Sequence, residues 1–137
     1  MTDRSYRGHV GIGPKVTGIA LVAKDDFSAR YDLDRLQGIF SRAAHKLRGQ
    51  SYVGAILVLD NAKGGVATAW MLYEMKARRM APAALLLNAA NPIMAQGAAL
   101  ANLPLLDRFE ADITGLLKTG DKVTVDPAAG LVIVHGA

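Results

Sequence analysis

Residues 55–70 read AILVLDNAKGGVATAW, a short apolar run followed by a glycine pair and then a helical pattern. The apolar run, residues 55–59, predicts a buried strand. Glycines at the turn after such a strand let the backbone approach a ligand closely. The unpaired N–H groups at the start of the next helix form a cradle for a carboxylate or a phosphate. The stretch therefore predicts a strand–turn–helix unit with an anion-binding turn.

The helical pattern after the turn has one apolar face. Its members recur at spacings of four and three, and they are Val66, Trp70, Tyr73, Ala77 and Met80. We expect this face to belong to the core, with Trp70 and Tyr73 as core residues. Pro82 ends the helix.

Two further units extend the pattern. A second apolar run, residues 83–87, is followed by Asn91-Pro92, an N-cap and a first-position proline for a helix reaching about residue 101. Residues 104–106 begin a third strand. Strand, helix, strand, helix and strand in this spacing predict a right-handed parallel βαβαβ unit.

The flanking segments complete the predicted fold. Residues 15–23 predict a strand, and residues 122–126 and 131–135 predict an antiparallel hairpin around a Pro-Ala-Ala-Gly turn. Residues 32–49 fit either a short helix or an irregular strand, with an exposed basic loop at residues 42–48. We expect one α/β domain, residues 1–137, with a partly parallel sheet or barrel.

Composition narrows the function. The chain has 137 residues, 51% of them hydrophobic, which suffices for a packed core. It has no cysteine, and therefore no disulfide, cysteine nucleophile or thiolate metal ligand. The net charge of +4 is scattered and aromatic residues are few, so an anionic metabolite or acidic protein partner is favoured over nucleic acid. The apolar runs are too short for a membrane span and the N-terminus lacks a signal-peptide core, which predicts a cytoplasmic protein without a membrane partner.

The glycine turn does not fit the two phosphate motifs that it superficially resembles. Thr68 occupies the place of the phosphate-binding lysine of a P-loop, and Ala69 that of its magnesium-binding hydroxyl. Ala69 also occupies the histidine place of a phosphohistidine loop. What is left is Lys63 with the N–H groups near Gly64 and Gly65, and Thr68 beside them. These residues indicate either recognition of an anion or a tight turn with a solvated lysine.

Other polar residues yield one more candidate. Asn88 follows the second parallel strand, and loops at the carboxyl ends of parallel strands line the usual ligand crevice. Because Asn91 already has the N-cap role, Asn88 is the residue that would orient a substrate. His9, His45 and His135 are far apart in sequence, so we predict no metal site and expect each histidine to be exposed or hydrogen-bonded.

Several short segments, in this order and spacing, resemble the small subunit of the aconitase X family, the swivelling domain of the aconitase superfamily. They are Gly49-Gln50-Ser51, Ile56-Leu57-Val58-Leu59, Lys63-Gly64, Ala81-Pro82-Ala83-Ala84, Asn91-Pro92-Ile93-Met94-Ala95-Gln96-Gly97-Ala98, Leu103-Pro104 and Lys118-Thr119-Gly120-Asp121-Lys122-Val123. The likeness covers about residues 13–134. It implies a β/β/α swivelling domain that closes over a larger catalytic subunit.

The resemblance also implies a reaction. Members dehydrate small anionic hydroxy acids, such as mevalonate 5-phosphate in archaea and cis-3-hydroxyproline in bacteria. A proton is removed next to a carboxylate, and a metal acting as Lewis acid aids loss of hydroxide. This chain would bind no cofactor, since the metal ion or iron–sulfur cluster is expected in the larger subunit. Lys63 with the amides of Gly64 and Gly65 would bind the substrate anion.

The chain departs from the family pattern at one place. The family turn has a basic residue, a glycine and then a serine-rich run that provides a catalytic serine. Lys63 and Gly64 match its first two positions, but residues 65–67 have no hydroxyl. Thr68, one position beyond, is a catalytic candidate only as a substitute. Otherwise the partner supplies the base, or the member has changed reaction, or it is a non-catalytic anion-binding or regulatory module of the same fold.

Overall fold

Residues 3–29, 31–63 and 66–136 are described by a computed structural model. Within them the chain forms nine strands and three helices. In chain order these are β1 (Arg4–Arg7), β2 (Val16–Val22), β3 (Leu33–Asp34), β4 (Ile39–Phe40), β5 (Ile56–Asn61), α1 (Val66–Ala77), β6 (Ala84–Ala89), α2 (Pro92–Ala101), β7 (Leu105–Leu106), α3 (Ile113–Leu116), β8 (Lys122–Asp126) and β9 (Leu131–Val134).

Seven of these strands form one sheet in the order β1-β9-β8-β2-β5-β6-β7, and β3 and β4 form a separate hairpin. The strands β2, β5, β6 and β7 are parallel to their neighbours in that series. The strands β1, β9 and β8 continue the sheet in antiparallel fashion to β2. The parallel βαβαβ unit from β5 to β7 and the C-terminal hairpin of β8 and β9 are thereby confirmed.

The segment that follows β1 brings the two edges of the sheet together. Its Gly8 N–H donates to the carbonyl of Gly130 (2.9 Å), beside β9. Four residues later, Ile12 and Leu105 of β7 exchange two backbone hydrogen bonds of 3.0 and 2.9 Å. The sheet therefore closes on itself, which agrees with the predicted partly parallel sheet or barrel.

The parallel strands β5 and β6 are buried on both faces. In β5, Leu57 and Leu59 pack in the cluster that contains the buried residues of α1 and α2, whereas Ile56 and Val58 pack with β8, β9 and α3. All four side chains have no exposed surface. Burial on both faces explains why the sequence shows a continuous apolar run here instead of an alternating one.

The helices α1 and α2 pack on each other at a close approach. A Cβ atom at Gly97 of α2 would lie 2.7 Å from the Cα of Ala69 in α1. The predicted start of α2 is confirmed, because the Asn91 side chain accepts a hydrogen bond from the N–H of Met94 (2.7 Å) and Pro92 opens the helix.

The predicted inner face of α1 is wrong. The helix buries Thr68, Leu72 and Met75, while Trp70 remains 63% exposed and Tyr73 49% exposed. The segment has two apolar stripes at helical spacing, and sequence periodicity does not tell which one meets the sheet. The close contact at Ala69 fixes the choice, because it sets the rotation of α1 against α2.

Four smaller differences concern polar or short segments. The sequence did not predict β1, whose residues are charged or polar and which is held by backbone pairing to β9, nor the four-residue helix α3. The ambiguous residues 32–49 contain the hairpin of β3 and β4. The basic loop at 42–48 is not exposed throughout, since His45 and Leu47 are each 3% exposed.

Replacing Gly97 with alanine tests the helix contact. Alanine normally stabilises a helix by up to about 1 kcal/mol relative to glycine, but here its methyl group would force α1 and α2 apart. We expect Gly97→Ala to lower the free energy of unfolding by about 1–3 kcal/mol, measured by urea denaturation. The control is Gly115→Ala in α3, where an added Cβ meets nothing within 4 Å. Equal stability of the two variants would contradict the proposed steric constraint.

Candidate anion-binding site

Lys63 lies two residues beyond β5, at the edge where the parallel strands end. Its backbone N–H donates to the carbonyl of Phe27 (2.8 Å), and the Phe27 N–H donates to the carbonyl of Asn61 (2.9 Å). The strand end is thus tied to the loop that contains Phe27. The Lys63 ammonium lies 3.0 Å from a carboxylate oxygen of Asp26, and its side chain is 67% exposed. An exposed ion pair of this kind is weak, so a ligand can reach the ammonium group.

Helix α1 begins at Val66, immediately after the glycine pair. Gly64 and Gly65, which we predict to bind an anion, lie outside the described residues. The first turn of α1 contains no acidic residue. The partial positive charge of its N-terminus is therefore not neutralised within the helix. Lys63 and the start of α1 are therefore two sources of positive potential that follow the end of β5 in the chain.

Asp32 anchors the loop that faces Lys63. The residue is 3% exposed, and its carboxylate accepts hydrogen bonds from the Ser28 N–H (2.8 Å) and from Nε of Arg42 (2.5 Å). The same guanidinium lies 3.4 Å from Asp25. The hydrogen bond to Asp32 raises the pKa of Arg42 further above its already high value. Arg42 therefore serves as a fixed cation that holds the two carboxylates in place.

The imidazole of His45 is hydrogen-bonded to this loop. Its Nδ1 accepts a hydrogen bond from the Leu47 N–H (3.1 Å), so Nε2 carries the proton and donates to the Asp26 carbonyl (2.9 Å). The ring stacks on Phe40 with 4.5 Å between centroids. The prediction that His45 is either exposed or hydrogen-bonded is confirmed, because the buried side chain is hydrogen-bonded. Because Asp26 contacts Lys63, His45 fixes the lysine indirectly.

A cleft of about 440 Å³ opens beside Lys63. It is lined by Asp25, Asp26, Ser28, Tyr31, Asp32, Arg42 and Lys63. Two cations there face three carboxylates, so the cleft as a whole is not positive. The exposed cation of the cleft is Lys63, which precedes α1 in the chain.

Asn88 has a structural role that the sequence did not reveal. Its amide nitrogen donates to Asp60 (2.9 Å) at the end of β5 and to Asp112 (2.8 Å), the N-cap of α3. Its amide oxygen accepts from the Ile113 N–H (2.8 Å). Asn88 therefore joins β5, β6 and α3 near the ends of the parallel strands. Its amide group is fully engaged in these contacts.

Asp112 also forms an ion pair near the end of the parallel strands. Lys24, two residues beyond β2, lies 2.6 Å from the Asp112 carboxylate. That contact, with hydrogen bonds from Thr114 and Asn88, holds the pKa of Asp112 well below the ordinary value of a carboxyl group. The aspartate is consequently ionised throughout the neutral range and is fixed as an acceptor.

Thr68, the catalytic candidate, faces inward. It lies in the first turn of α1 and is 2% exposed, and its hydroxyl has no hydrogen-bond partner among the described residues. A buried hydroxyl without a partner costs free energy. Contact between this hydroxyl and a substrate would require the first turn of α1 to move.

Sequence reasoning missed most of the supporting side chains. Arg42 and His45 were predicted to lie in an exposed basic loop, and Asp32 in a segment that fitted either a short helix or an irregular strand. The convergence of these residues with Asp26 depends on tertiary folding. Asp112 could have been found, because an aspartate that precedes an apolar residue is an N-cap signal.

The side chains of this site do not fit an iron–sulfur cluster, because the chain has no cysteine. Within residues 3–29, 31–63 and 66–136, no group of three or more His, Asp or Glu side chains is arranged to hold a metal ion. In the same part of the chain, no helix has the length and apolar character needed to span a membrane.

Comparison with known proteins identifies similar chains. Residues 5–134 match the family described as the aconitase X swivel domain. The phosphomevalonate dehydratase small subunit of Methanocella arvoryzae is 35% identical over 92% of this chain and 96% of its own length. That of Thermococcus kodakarensis is 33% identical over 92% of both chains. A crystal structure of Thermococcus kodakaraensis aconitase X in the holo-form superposes with a TM-score of 0.90 at 32% identity, covering 97% of this chain and 99% of that one.

The depressed pKa of Asp112 predicts a pH dependence of stability. A carboxyl whose pKa is lower in the folded state stabilises the fold above its unfolded pKa, near 3.9, and loses that contribution as the pH falls further. We expect Asp112→Asn to reduce the difference between the free energies of unfolding at pH 6 and pH 3. Urea denaturation at both pH values measures it. The control is Asp126→Asn in β8. A pH dependence identical to that of the unmodified protein would contradict the role of Asp112.

Proposed function

The chain belongs to the aconitase X swivel-domain family, and from that premise we propose that it is the small subunit of a hydro-lyase that dehydrates a small hydroxy acid. The observation that carries the proposal is the likeness to phosphomevalonate dehydratase small subunits over 92% of the chain. The exposed Lys63 ammonium beside the start of α1 supports it, since this is where a substrate anion would bind.

The site on this chain is half of an active site. Lys63 and the N–H groups at the start of α1 bind the phosphate or carboxylate of the substrate. Asp26 orients the lysine, and the Asp32–Arg42 pair and His45 keep Asp26 in place. The chain closes over a larger subunit, which contributes the other half. We assign the metal ion or iron–sulfur cluster implied by the family to that subunit, because the residues of this chain do not fit one.

Dehydration requires a base that removes the proton next to the substrate carboxylate. Thr68 is one candidate, but its hydroxyl is enclosed in the helix packing and no described group stands beside it to activate it. A group of the larger subunit is the other candidate, and the burial of Thr68 favours it. The small subunit then contributes binding and orientation of the substrate, with water excluded on closure.

A second candidate function has one observation in its favour. Residues 65–67 lack the hydroxyl that related turns use, and the nearest substitute, Thr68, is buried. A non-catalytic anion-binding or regulatory subunit with the same swivelling fold would show these features. It would bind a substrate anion and the larger subunit without supporting turnover.

Replacing Lys63 tests the proposed function directly. The chain is co-expressed with the larger aconitase X-type subunit, and dehydration of mevalonate 5-phosphate is measured first, followed by other small hydroxy acids. We expect Lys63→Ala to lower kcat/KM roughly 10- to 100-fold, because a charge-assisted hydrogen bond to the substrate is lost. The matched control is Lys15→Ala, an exposed lysine before β2, which should leave kcat/KM unchanged.

Two results would count against the proposal. An active complex whose kcat/KM is unaffected by Lys63→Ala would remove Lys63 from the substrate site. A stable complex that binds the hydroxy acid but converts none of the acids tested would favour the non-catalytic subunit.

Thr68→Val separates the two candidates for the base. Valine has nearly the same shape as threonine and removes the unpartnered hydroxyl, so we expect the free energy of unfolding to rise by about 1 kcal/mol. If the base comes from the larger subunit, kcat stays unchanged. A fall in kcat of about 100-fold or more without a loss of stability would instead identify Thr68 as the proton carrier.

A further inference from the structure

Helix α1 has two apolar faces, and only one of them is covered in this structure. The inner face packs on the sheet through Leu72 and Met75. We name the outer face, formed by Val66, Trp70, Tyr73 and Ala77, the outer stripe. The exposed fractions of its three large members are 64%, 63% and 49%, in that order.

The outer stripe is an ordered surface. Trp70 and Tyr73 contact each other edge to face, with 6.4 Å between ring centroids and 82° between planes. Such pairs restrict both side chains before any partner arrives, which lowers the entropy cost of binding. Tryptophan and tyrosine are also the residues most enriched in protein–protein binding hot spots.

The spacing of the outer stripe matches a helix that docks along its length. Its members follow one another at intervals of four, three and four residues, which places them on one side of the helix. They extend over about 16 Å of helix axis at 1.5 Å per residue. This is the anchor pattern of a helix seated against an apolar groove or a second helix.

Charge around the stripe selects the kind of partner. Residues 63–79 contain Lys63, Lys76, Arg78 and Arg79 against a single carboxylate, Glu74. Glu74 already lies 3.4 Å from Arg78. A second copy of α1 would bring cations against cations in either the parallel or the antiparallel orientation. A partner with an acidic border is therefore favoured over self-association.

The stripe is continuous with the candidate site. Val66, its first member, directly follows the glycine pair in sequence, and Lys63 directly precedes that pair. A partner subunit that covers the start of α1 must also approach Val66. The same subunit can then extend along Trp70 and Tyr73 without a break in the surface.

From these features we infer that the outer stripe is the surface through which this chain docks onto the larger subunit, against an apolar surface bordered by carboxylates. The inference rests on the proposed function, because it takes the larger subunit of that proposal as the occupant. It adds the location of the contact and the chemistry of the opposing surface.

Separately purified subunits test the inference by titration calorimetry. We expect Trp70→Ala and Tyr73→Ala each to weaken the affinity for the larger subunit at least tenfold. The matched control is Ile19→Ala in β2, which removes an apolar side chain of similar exposure, 52%, and should change the affinity less than twofold. Circular dichroism of each variant verifies folding, which these exposed positions should not affect.

A spectroscopic measurement tests the contact without a change of side-chain size. The chain has one tryptophan, so 5-fluorotryptophan labelling gives a single ¹⁹F resonance from Trp70. We expect that resonance to shift and to lose its solvent sensitivity when the unlabelled larger subunit is added. We expect Arg79→Glu to weaken binding of the larger subunit, because the new carboxylate would face the carboxylates that border the opposing surface.

The outcomes are distinguishable. Binding of the larger subunit that is unaffected by Trp70→Ala and Tyr73→Ala, with an unshifted ¹⁹F resonance, would overturn the docking surface and leave the proposed function standing. A homodimer that is lost in Trp70→Ala would show that a second copy occupies the stripe, which also overturns the inference. Failure of the unmodified chain to bind the larger subunit would overturn the proposed function itself.

Discussion

The structure depends on the burial of β5 and β6 between two layers. Their apolar residues alternate between a helical layer and an antiparallel layer, and both layers exclude water. Because either face accepts an apolar side chain, burial alone would tolerate a shift of register by one residue. The polar residues that end the two runs remove this freedom, since Asp60 and Asn88 are hydrogen-bonded side by side. The same pairing that fixes the register creates the polar edge of the sheet.

The polar side chains at that edge have two roles. One group holds elements of the fold together, and Lys63 is the proposed contact for the substrate. Asn88, Asp60, Asp112 and Lys24 satisfy one another and join three elements of the fold. Lys63 differs, because among the described residues its ammonium group pairs with one carboxylate, that of Asp26, and most of its side chain faces solvent. The proposed anion site is therefore a rigid frame with one adaptable cation. Such a frame suits a subunit that binds and orients a substrate while another chain performs the proton transfer.

Sequence patterns predicted the elements whose signals are local. The continuous apolar runs of β5 and β6, the Asn91-Pro92 start of α2 and the C-terminal hairpin all follow from such signals. The orientation of α1 did not, because its two apolar stripes are equivalent in periodicity and the contact between Gly97 and Ala69 chooses between them. The candidate site shows the same division between local signals and tertiary contacts. Lys63 could be found beside its glycines, whereas His45 and Asp32 reach it only through the folded loop.

The position of β1 in the sheet has a consequence for the order in which the protein can form. β1 pairs with β9, and more than 120 residues separate them in the chain. The hydrogen-bond ladder on this side cannot exist until β9 has emerged from the ribosome, whereas β5, α1 and β6 can associate much earlier. Pairing over such a separation requires a large loop-closure entropy. Folding during synthesis would therefore begin at the parallel unit that carries the candidate site and end with the pairing of β1 and β9.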